Sequence, residues 1–391
     1  MVGGGTAGHV SPLLSVATEL ERGLKDTGDS ADIRLITDRA KVAQMVLAST
    51  EAYPRHRVLS GKLRRYHGQS WLARLVDVKT WALNLRDLVF MAIGLVQAVV
   101  LALVHRPDIV FINGGSIGWP VALGARLIRC PYVVHESDTV LGLANRLIVR
   151  RAAQVAAAFD VKLDKLSADK TVVTGIPLRP EFTGGKLSAA GRRELARELG
   201  LNPDLPVVVA VGGSQGAQRL NNWLMSQAGA LLDSTQLLMV SGPAHYQALT
   251  RAKQQLAGRL GRRLVVLGFT DAMADLMRLA DVVVSRAGAT TLAELAAIGR
   301  PAIIVPNAQL TGGHQLSNAQ WFSARNMVEV VTEDELKRRP EQLAAAILKL
   351  LADKTRRRRL AGNIKEASAP ESAAKVAQLL ISAATARRAR S

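Results

Sequence analysis

The chain has a single cysteine, Cys130, among 391 residues. One thiol excludes an intrachain disulfide and any cysteine-based zinc cluster, and it fits a reducing compartment. Set before Pro131, it reads as a small buried hydrophobe. Aromatic residues make up only 4%, and no aromatic signature of an RNA binder occurs. Acidic residues are also scarce: 32 Asp and Glu against 51 Lys and Arg leave a formal charge of +19. With so little to stack on bases, that excess points to an anionic membrane surface or anionic substrates, and no nucleic-acid partner is expected. A secretory signal is not seen, because Met1 runs almost straight into glycines. Long apolar runs are missing too. The longest, Leu88 to Val104, has 17 residues and is broken by Gln97. That is the lower limit for a spanning helix, and Arg86 and Asp87 immediately precede it. A buried or interfacial helix is expected there.

What is present is ample apolar content, 48%, in a chain longer than one core usually supports, so two domains are expected. Short strand-like runs alternate with helical stretches. In the first half they are Ile33–Thr37, Asp108–Asn113, Pro131–His135 and Gln154–Ala157. In the second they are Val207–Val211, Gln236–Ser241, Arg263–Leu267, Asp281–Ser285, Ala302–Val305 and Val328–Val331. Strands at helix-length intervals give parallel α/β sheets. Two such sets in series imply two Rossmann-like domains, placed at 1–165 and 166–365. The join falls near Val161–Lys170 or at the Pro-rich Ile176–Pro180. A C-terminal segment, 366–391, has helical periodicity over Ala373–Ile381 and a basic end. It reads as a solvated helix face and frayed tail, or as a membrane-attracted one, or as a helix packing back on the first domain.

The most informative stretch is 281–318. An apolar run, Val282 to Val284, leads into the loop Arg286–Gly288. A helical pattern follows with Leu292, Leu295 and Ala296, then a second apolar run, Ile303 to Val305, closed by Pro306. This is a βαβ unit with a polar loop after each strand. In open parallel sheets such loops form the ligand crevice. Here they offer Arg286, Ala289, Thr290, Glu294, His314, Gln315 and Asn318. A carboxylate among amides and hydroxyls suits a polyhydroxyl ligand such as a ribose or hexose.

Two glycine-rich loops sit at matching places in the two halves, Gly3–Pro12 and Gly212–Asn221, each ahead of a helix. Glycines let a backbone approach a phosphate, and a helix start supplies N–H donors with a favourable dipole. Neither loop reads GxxxxGK[ST] or GxGxxG, and Glu19, Glu21 and Asp38 do not fall where a dinucleotide fold places its ribose carboxylate. The first half also lacks most of a strand ahead of its glycine loop: only Met1 and Val2 precede it. A misplaced start or missing residues of strand one would account for that, and the central strand of the first sheet is expected to be stunted.

Seven segments in order resemble the MurG family of bacterial glycosyltransferases. They are GGGTAGH (Gly3–His9), NGGSIGWPVALGA (Asn113–Ala125), HESDTVLGLANR (His135–Arg146), TGIPLRPEF (Thr174–Phe182), GGSQGA, SRAGATTLAEL and HQLSNA. GKLRRY at Gly61–Tyr66 is similar to a segment found in part of that family. Ala7 stands where the family has glycine, Ser116 where an aromatic is usual, and Asp138 where many members have Asn.

The resemblance implies the GT-B architecture, two Rossmann-like parallel-sheet domains facing across a cleft. It implies an inverting transfer of N-acetylglucosamine from UDP-N-acetylglucosamine to a polyprenyl-pyrophosphoryl muramyl-pentapeptide. No Asp-x-Asp pair suited to a metal–diphosphate bridge stands out, so the loop dipoles are expected to replace a metal, and no cofactor is expected. Carried over to this sequence, Glu294 binds the ribose hydroxyls, and Phe269 and Thr270 present backbone to the uracil. Ser214, Gln215 and Gly216 hold the pyrophosphate, beside Ala289 and Thr290. Gln315 and His314 hold the sugar, with Asn318 beside them, and Arg179 lies near the nucleotide. Thr6, Ala7, Gly8 and Asn145 lie on the acceptor side. His9, Asp138 and Glu136 compete for the role of base, since a histidine or a buried carboxylate can exchange a proton near neutrality. Basic residues around Trp71, Trp81 and Phe90 suit peripheral attachment to the cytoplasmic face of a bacterial membrane. A diacylglycerol glycosyltransferase, a UDP-sugar epimerase and a non-catalytic membrane binder stay open as alternatives.

Overall fold

The computed structural model describes residues 1–26, 28–38, 52–61, 77–161, 168–213, 216–256, 258–308 and 312–389. Two compact units emerge. One comprises Met1–Arg179 together with Ala369–Ser391, the other Pro180–Ser368. The chain therefore crosses at Arg179–Pro180, at the Pro-rich Ile176–Pro180 alternative for the join and beyond the 165/166 boundary, because a further strand joins the first sheet before the crossing.

In the first unit, helix α1 (Ala7–Lys25) follows the glycine loop. Strands β1 (Leu35–Thr37) and β2 (Arg55–Arg57) pair in parallel. Helices α2 (Val78–His105) and α3 (Gly118–Leu127) flank β3 (Val110–Ile112). Then β4 (Tyr132–Glu136), β5 (Gln154–Ala157) and β6 (Thr171–Val173) extend a parallel sheet in the order β3-β4-β5-β6. Val2 bridges both Ile36 and Ile112 in parallel, so Met1–Val2 occupy the lane between β1 and β3. The expected stunted strand is there, held by Val2 N–H to the Phe111 carbonyl at 2.7 Å and Ile36 N–H to the Met1 carbonyl at 2.8 Å. With it the order is doubly wound, the lane of the first chain segment lying centrally. Cys130 is buried beneath this sheet, and burial pushes its thiol up to about 11.

The second unit is a six-stranded parallel sheet in the order β12-β11-β10-β7-β8-β9. The strands are β7 (Val207–Val211), β8 (Gln236–Val240), β9 (Leu264–Leu267), β10 (Val282–Ser285), β11 (Ala302–Ile304) and β12 (Glu329–Val330). Four of them are buried along their whole length, which is why they read as continuous apolar runs instead of alternating ones. Helix α4 (Gln218–Ser226) follows β7, α5 (Ala289–Ile298) follows β10, and α6 (His314–Ala324) follows β11.

The last helix, α7 (Ser372–Arg388), returns to the first unit and packs on α1. Val376, Ala377 and Leu380 share a core with Val10, Leu13, Val16 and Phe111. Its basic end is not a frayed tail. Arg387 donates to the carbonyl of Pro107 at 2.6 Å, and Arg388 pairs with Asp108 at 2.8 Å.

Candidate functional site

Each sheet reverses its winding at one point, and the strand ends there carry the glycine loops. In the second unit the switch point lies between β7 and β10. Their last residues are in register, Val211 opposite Ser285, so the loop from Gly212 and the loop from Arg286 leave the sheet side by side. Ligands bind in such crevices in open α/β sheets. Gly216 requires its glycine: φ is +76°, and a Cβ would lie 2.3 Å from the Ser241 carbonyl oxygen. Ser214 and Gln215 lie outside the described residues.

Across the crevice, α5 starts at Ala289 with Gly288 in extended conformation and no side-chain cap. Its first-turn N–H groups and its dipole therefore face the loop. Thr290 and Glu294 lie one turn apart on this helix and are both half-buried. Gln315, in the first turn of α6, accepts from Asn307 N–H at 2.8 Å through its oxygen. His314 begins α6 against Gly312. Phe269 projects from the end of β9, 49% exposed, and the Thr270 hydroxyl accepts from Ala272 N–H at 3.1 Å.

Two residues of the 281–318 stretch have structural work instead. Asn318 is fully buried and donates to the Ala287 carbonyl at 3.1 Å, tying α6 to the loop after β10. Arg286 is buried and its guanidinium is committed to protein groups. It donates to the Val305 carbonyl at 3.0 Å and pairs with Glu333 at 2.8 Å. Glu333 also binds Arg219 of α4 at 2.9 Å. One buried carboxylate thus ties the helix after the glycine loop to the loop after β10. Sequence reasoning missed Glu333. Its only signal is the capping box of Thr332 and Glu335 around it, which marks a helix start and no ligand.

In the first unit the switch point lies between Val2 and β3. Thr6 precedes α1, and Ala7, Gly8 and His9 form its first turn. The His9 Nδ1 lies 2.8 Å from the Gly4 carbonyl. A carbonyl only accepts, so Nδ1 carries the proton and Nε2 is the open acceptor of the neutral ring. The ring lies against Gly114, where a Cβ would come within 3.0 Å of Nε2. Asn113 fixes the same turn from β3, donating to the His9 carbonyl at 2.9 Å. Ser116 bonds Ser60 at 3.0 Å, so the polar replacement of an aromatic has a polar neighbour.

The acceptor-side candidates at β4 divide. Both Glu136 oxygens are occupied: one accepts from Asp138 N–H at 3.1 Å, the other from Gly142 N–H and Asn145 Nδ2, each at 2.9 Å. Burial raises this carboxyl to about 7, and Asp138 adds to the rise. Glu136 and Asn145, both buried, therefore brace the loop 136–142 from within. Asp138 is half-buried at its surface. His135 donates from Nε2 to the Gly175 carbonyl at 2.9 Å, and burial lowers it to about 4, so it is neutral. Arg179, the last residue before the crossing, is half-buried.

The glycosyltransferase family 28 N-terminal domain matches residues 1–157, and the glycosyltransferase family 28 C-terminal domain matches 207–380. Several relatives carry the name UDP-N-acetylglucosamine–N-acetylmuramyl-(pentapeptide) pyrophosphoryl-undecaprenol N-acetylglucosamine transferase. That of Legionella pneumophila is 33% identical over 85% of this chain and 84% of its own. That of Geobacillus thermodenitrificans is 33% identical over 91% of both, and that of Listeria welshimeri 30% over 97% of both. The crystal structure of Acinetobacter baumannii MurG superposes with a TM-score of 0.68 at 22% identity, covering 98% of this chain and 99% of that one. A UDP-GlcNAc 2-epimerase from Neisseria meningitidis, bound to UDP-GlcNAc, shares the fold at 0.62 and 11% identity, over 97% of this chain and 98% of that one. Two doubly wound units of the GT-B type, both family 28 domains in series and at least 30% identity over nearly whole chains leave one assignment: the chain belongs to the MurG family of glycosyltransferases.

Proposed function

We infer that the protein transfers N-acetylglucosamine from UDP-N-acetylglucosamine to a lipid-linked muramyl-pentapeptide, the lipid I to lipid II step of peptidoglycan synthesis, with inversion at the anomeric carbon. The family supports the reaction. The observation that carries the donor site is the adjacency of the two loops at Val211 and Ser285, with Glu294 one turn into the helix between them. Glu294 accepts from the two ribose hydroxyls, a bidentate role a carboxylate suits. Backbone at Phe269 and Thr270 meets the uracil. The pyrophosphate sits on the loop from Gly212 and the first turn of α5, whose N–H groups meet the charge of the leaving diphosphate. Gln315 and His314 orient the sugar.

The acceptor hydroxyl oxygen forms a bond to the anomeric carbon as the carbon's bond to the β-phosphate oxygen breaks, and that electron pair departs with UDP. The hydroxyl proton passes to a base. His9 suits this role, because its tautomer leaves Nε2 open. Asp138 is the remaining rival. Glu136 is better suited to bracing the loop, since its oxygens already accept three N–H groups.

The acceptor is a lipid, and α2 supplies a surface for reaching it. This helix is long and apolar enough to cross a membrane, and only 17% of its apolar window is buried. One side is committed to the first unit. Gly94 lies on the Leu59 carbonyl, Gln97 accepts from Leu59 N–H at 2.8 Å, and Ala98 meets Gly124. The opposite side shows Trp81, Leu85, Val96, Val100, Leu103 and Val104 to solvent. A packed helix with an apolar outer face on a chain of charge +19 suits peripheral docking at an anionic bilayer surface on the cytoplasmic side. The basic residues between 62 and 76, with Trp71, lie outside the described residues.

The test is UDP release from UDP-N-acetylglucosamine with and without lipid-linked muramyl-pentapeptide, for the wild type and Glu294→Ala. Acceptor-dependent release is expected, with kcat/KM about a hundredfold lower in the variant for the lost charged hydrogen bonds. Release with diacylglycerol and not with the muramyl lipid would move the assignment to a glycolipid synthase. Interconversion of the UDP-sugar without acceptor would move it to an epimerase.

A further inference from the structure

Aromatic side chains are rare in this chain, and most are covered. Among the described residues, the exposed Trp, Tyr and Phe side chains are Trp81, Tyr246 and Phe269. Trp81 belongs to the outer face of α2. Tyr246 and Phe269, 42% and 49% exposed, both lie in the second unit, just beyond the carboxyl ends of β8 and β9. These two strands end in register, Val240 opposite Leu267. The next residue, Ser241, donates from its N–H to the Leu267 carbonyl at 2.8 Å and from its hydroxyl at 3.0 Å. The two loops therefore leave the sheet tied together. Tyr246 opens the helix Tyr246–Gln254, and its ring packs on Gly268, where a Cβ would come within 3.2 Å of the Tyr246 Cγ. Phe269 is the next residue of that loop.

The same β8 loop backs the glycine loop on its other side. The strand order sets β8 between β7 and β9. A Cβ on Gly216 would meet the Ser241 carbonyl oxygen at 2.3 Å and the His245 ring at 2.9 Å. Consecutive residues, His245 and Tyr246, thus each seat a glycine of a different neighbouring loop. A nucleotide with its diphosphate on the loop from Gly212 and its base at Phe269 and Thr270 spans two strand spacings, about 10 Å. It must pass over the end of β8 and the loop 241–245. An accessible tyrosine ring on that path offers a π-face, on which any base stacks.

We propose that Tyr246 is a base-recognition residue of the second unit: its ring, beside Phe269, takes one face of the nucleobase of the sugar nucleotide. This rests on the donor site inferred above and adds a contact of a different kind to it. Backbone groups meet the polar edge of a base, whereas a ring covers its face and removes apolar surface of both partners from water. Tyr246 thereby makes the base, and not the diphosphate alone, contribute to binding.

The test titrates the full chain with UDP and with inorganic pyrophosphate, for the wild type, Tyr246→Phe and Tyr246→Ala. Tyr246→Ala is expected to weaken UDP by at least about fivefold, the loss of one base stack, and to leave pyrophosphate within a factor of about two. Tyr246→Phe keeps the ring and is expected to bind UDP within a factor of about two of wild type. The chain has four tyrosines, so fluorotyrosine labelling gives few resonances. The one missing from Tyr246→Phe should shift with UDP and stay in place with pyrophosphate. Unchanged UDP affinity in Tyr246→Ala overturns the proposal. So does an equal loss for both ligands, which would make Tyr246 a packing residue of the Gly268 loop. A fluorine signal that ignores UDP overturns it too, whether or not Tyr246→Ala folds. No UDP binding by the wild type overturns the donor site itself and takes this inference with it.

Discussion

Arg286 and Glu333 form an ion pair of 2.8 Å between side chains that are 8% and 0% exposed. Burial pulls the arginine's pKa down and Glu333 pushes it back up, so the charge persists in that place because of its partner. The second oxygen of Glu333 holds Arg219 on α4. Glu333→Ala strands a buried guanidinium, which costs about 3–5 kcal/mol. We expect a lower Tm and, at temperatures where the variant stays folded, a KM for UDP-N-acetylglucosamine raised by at least about tenfold. Arg219→Ala removes a partner that is 44% exposed, and its effect on Tm should be within about 1 kcal/mol. Calorimetric titration with UDP and thermal melts of both variants check this. Equal UDP affinity in wild type and folded Glu333→Ala would remove Glu333 from the positioning of the proposed donor loop.

Gly114 offers a test of His9 that leaves the proposed donor site untouched. Its φ is +73°, and a methyl there reaches the His9 ring at 3.0 Å. Gly114→Ala costs about 1–2 kcal/mol of backbone strain and pushes the imidazole off its Gly4 bond. Acceptor-dependent transfer should fall by about a hundredfold for a misplaced proton acceptor. UDP binding should stay within a factor of about two, because the proposed donor contacts lie in the other unit. Single-turnover transfer and UDP titration, run in parallel, decide it. A matching loss of UDP affinity would show that His9 does not act on the acceptor alone.

Sequence patterning revealed ten of the strands because most are buried apolar runs after a polar turn, as Val207–Val211 and Asp281–Ser285 show. Two strands among the described residues escaped it. Arg55–Arg57 is a charged edge strand of three residues, and Thr171–Val173 shows its last two residues to solvent. The first has no apolar residue, and the second, Thr-Val-Val, is too short to show a period. The second omission favoured the earlier of the two places for the join, 165/166, over Ile176–Pro180, where the chain crosses. At the proposed donor site, motif order pointed to Glu294, Gln315 and the loop glycines. It did not distinguish ligand-facing polar groups from those consumed in holding loops. Asn318, Asn145 and Arg286 belong to the latter, and only their partners Ala287, Glu136 and Glu333 reveal it.

His135 and Glu136 are chain neighbours with opposed titrations. His135 sits at about 4 against 6.5, so the unfolded state binds the extra proton and stability rises with pH between those values. Glu136 sits at about 7 against 4.5, so the folded state holds the proton longer and stability falls as pH rises through that window. Each contributes roughly 3 kcal/mol at 1.36 kcal/mol per unit, with opposite sign. From pH 4.5 to 6.5 the two nearly cancel. Glu136→Gln removes one of them, so urea midpoints of the variant should climb steeply with pH across that range while the wild type stays flatter. Parallel pH profiles for the two proteins would show that the Glu136 carboxyl is not shifted.

The outer face of α2 offers a test that leaves the fold alone. Leu85 and Val104 are 64% and 68% exposed, so replacing them removes little from the core, and Leu85→Glu/Val104→Glu should shift Tm by less than about 1 kcal/mol in stability terms. At a bilayer the same changes remove two apolar contacts and add two charges that an anionic surface repels. Each buried aliphatic side chain is worth about 1.5–3 kcal/mol, and each basic charge near such a surface about 1 kcal/mol. Partitioning onto vesicles containing anionic lipid should therefore fall by at least about a hundredfold. Transfer to a short-chain, water-soluble acceptor should be unchanged, because neither residue lies at a switch point. Wild-type partitioning should also weaken with salt as the +19 charge is screened. Unchanged vesicle binding by the double variant would take the docking surface away from α2 and leave the basic 62–76 segment as its place.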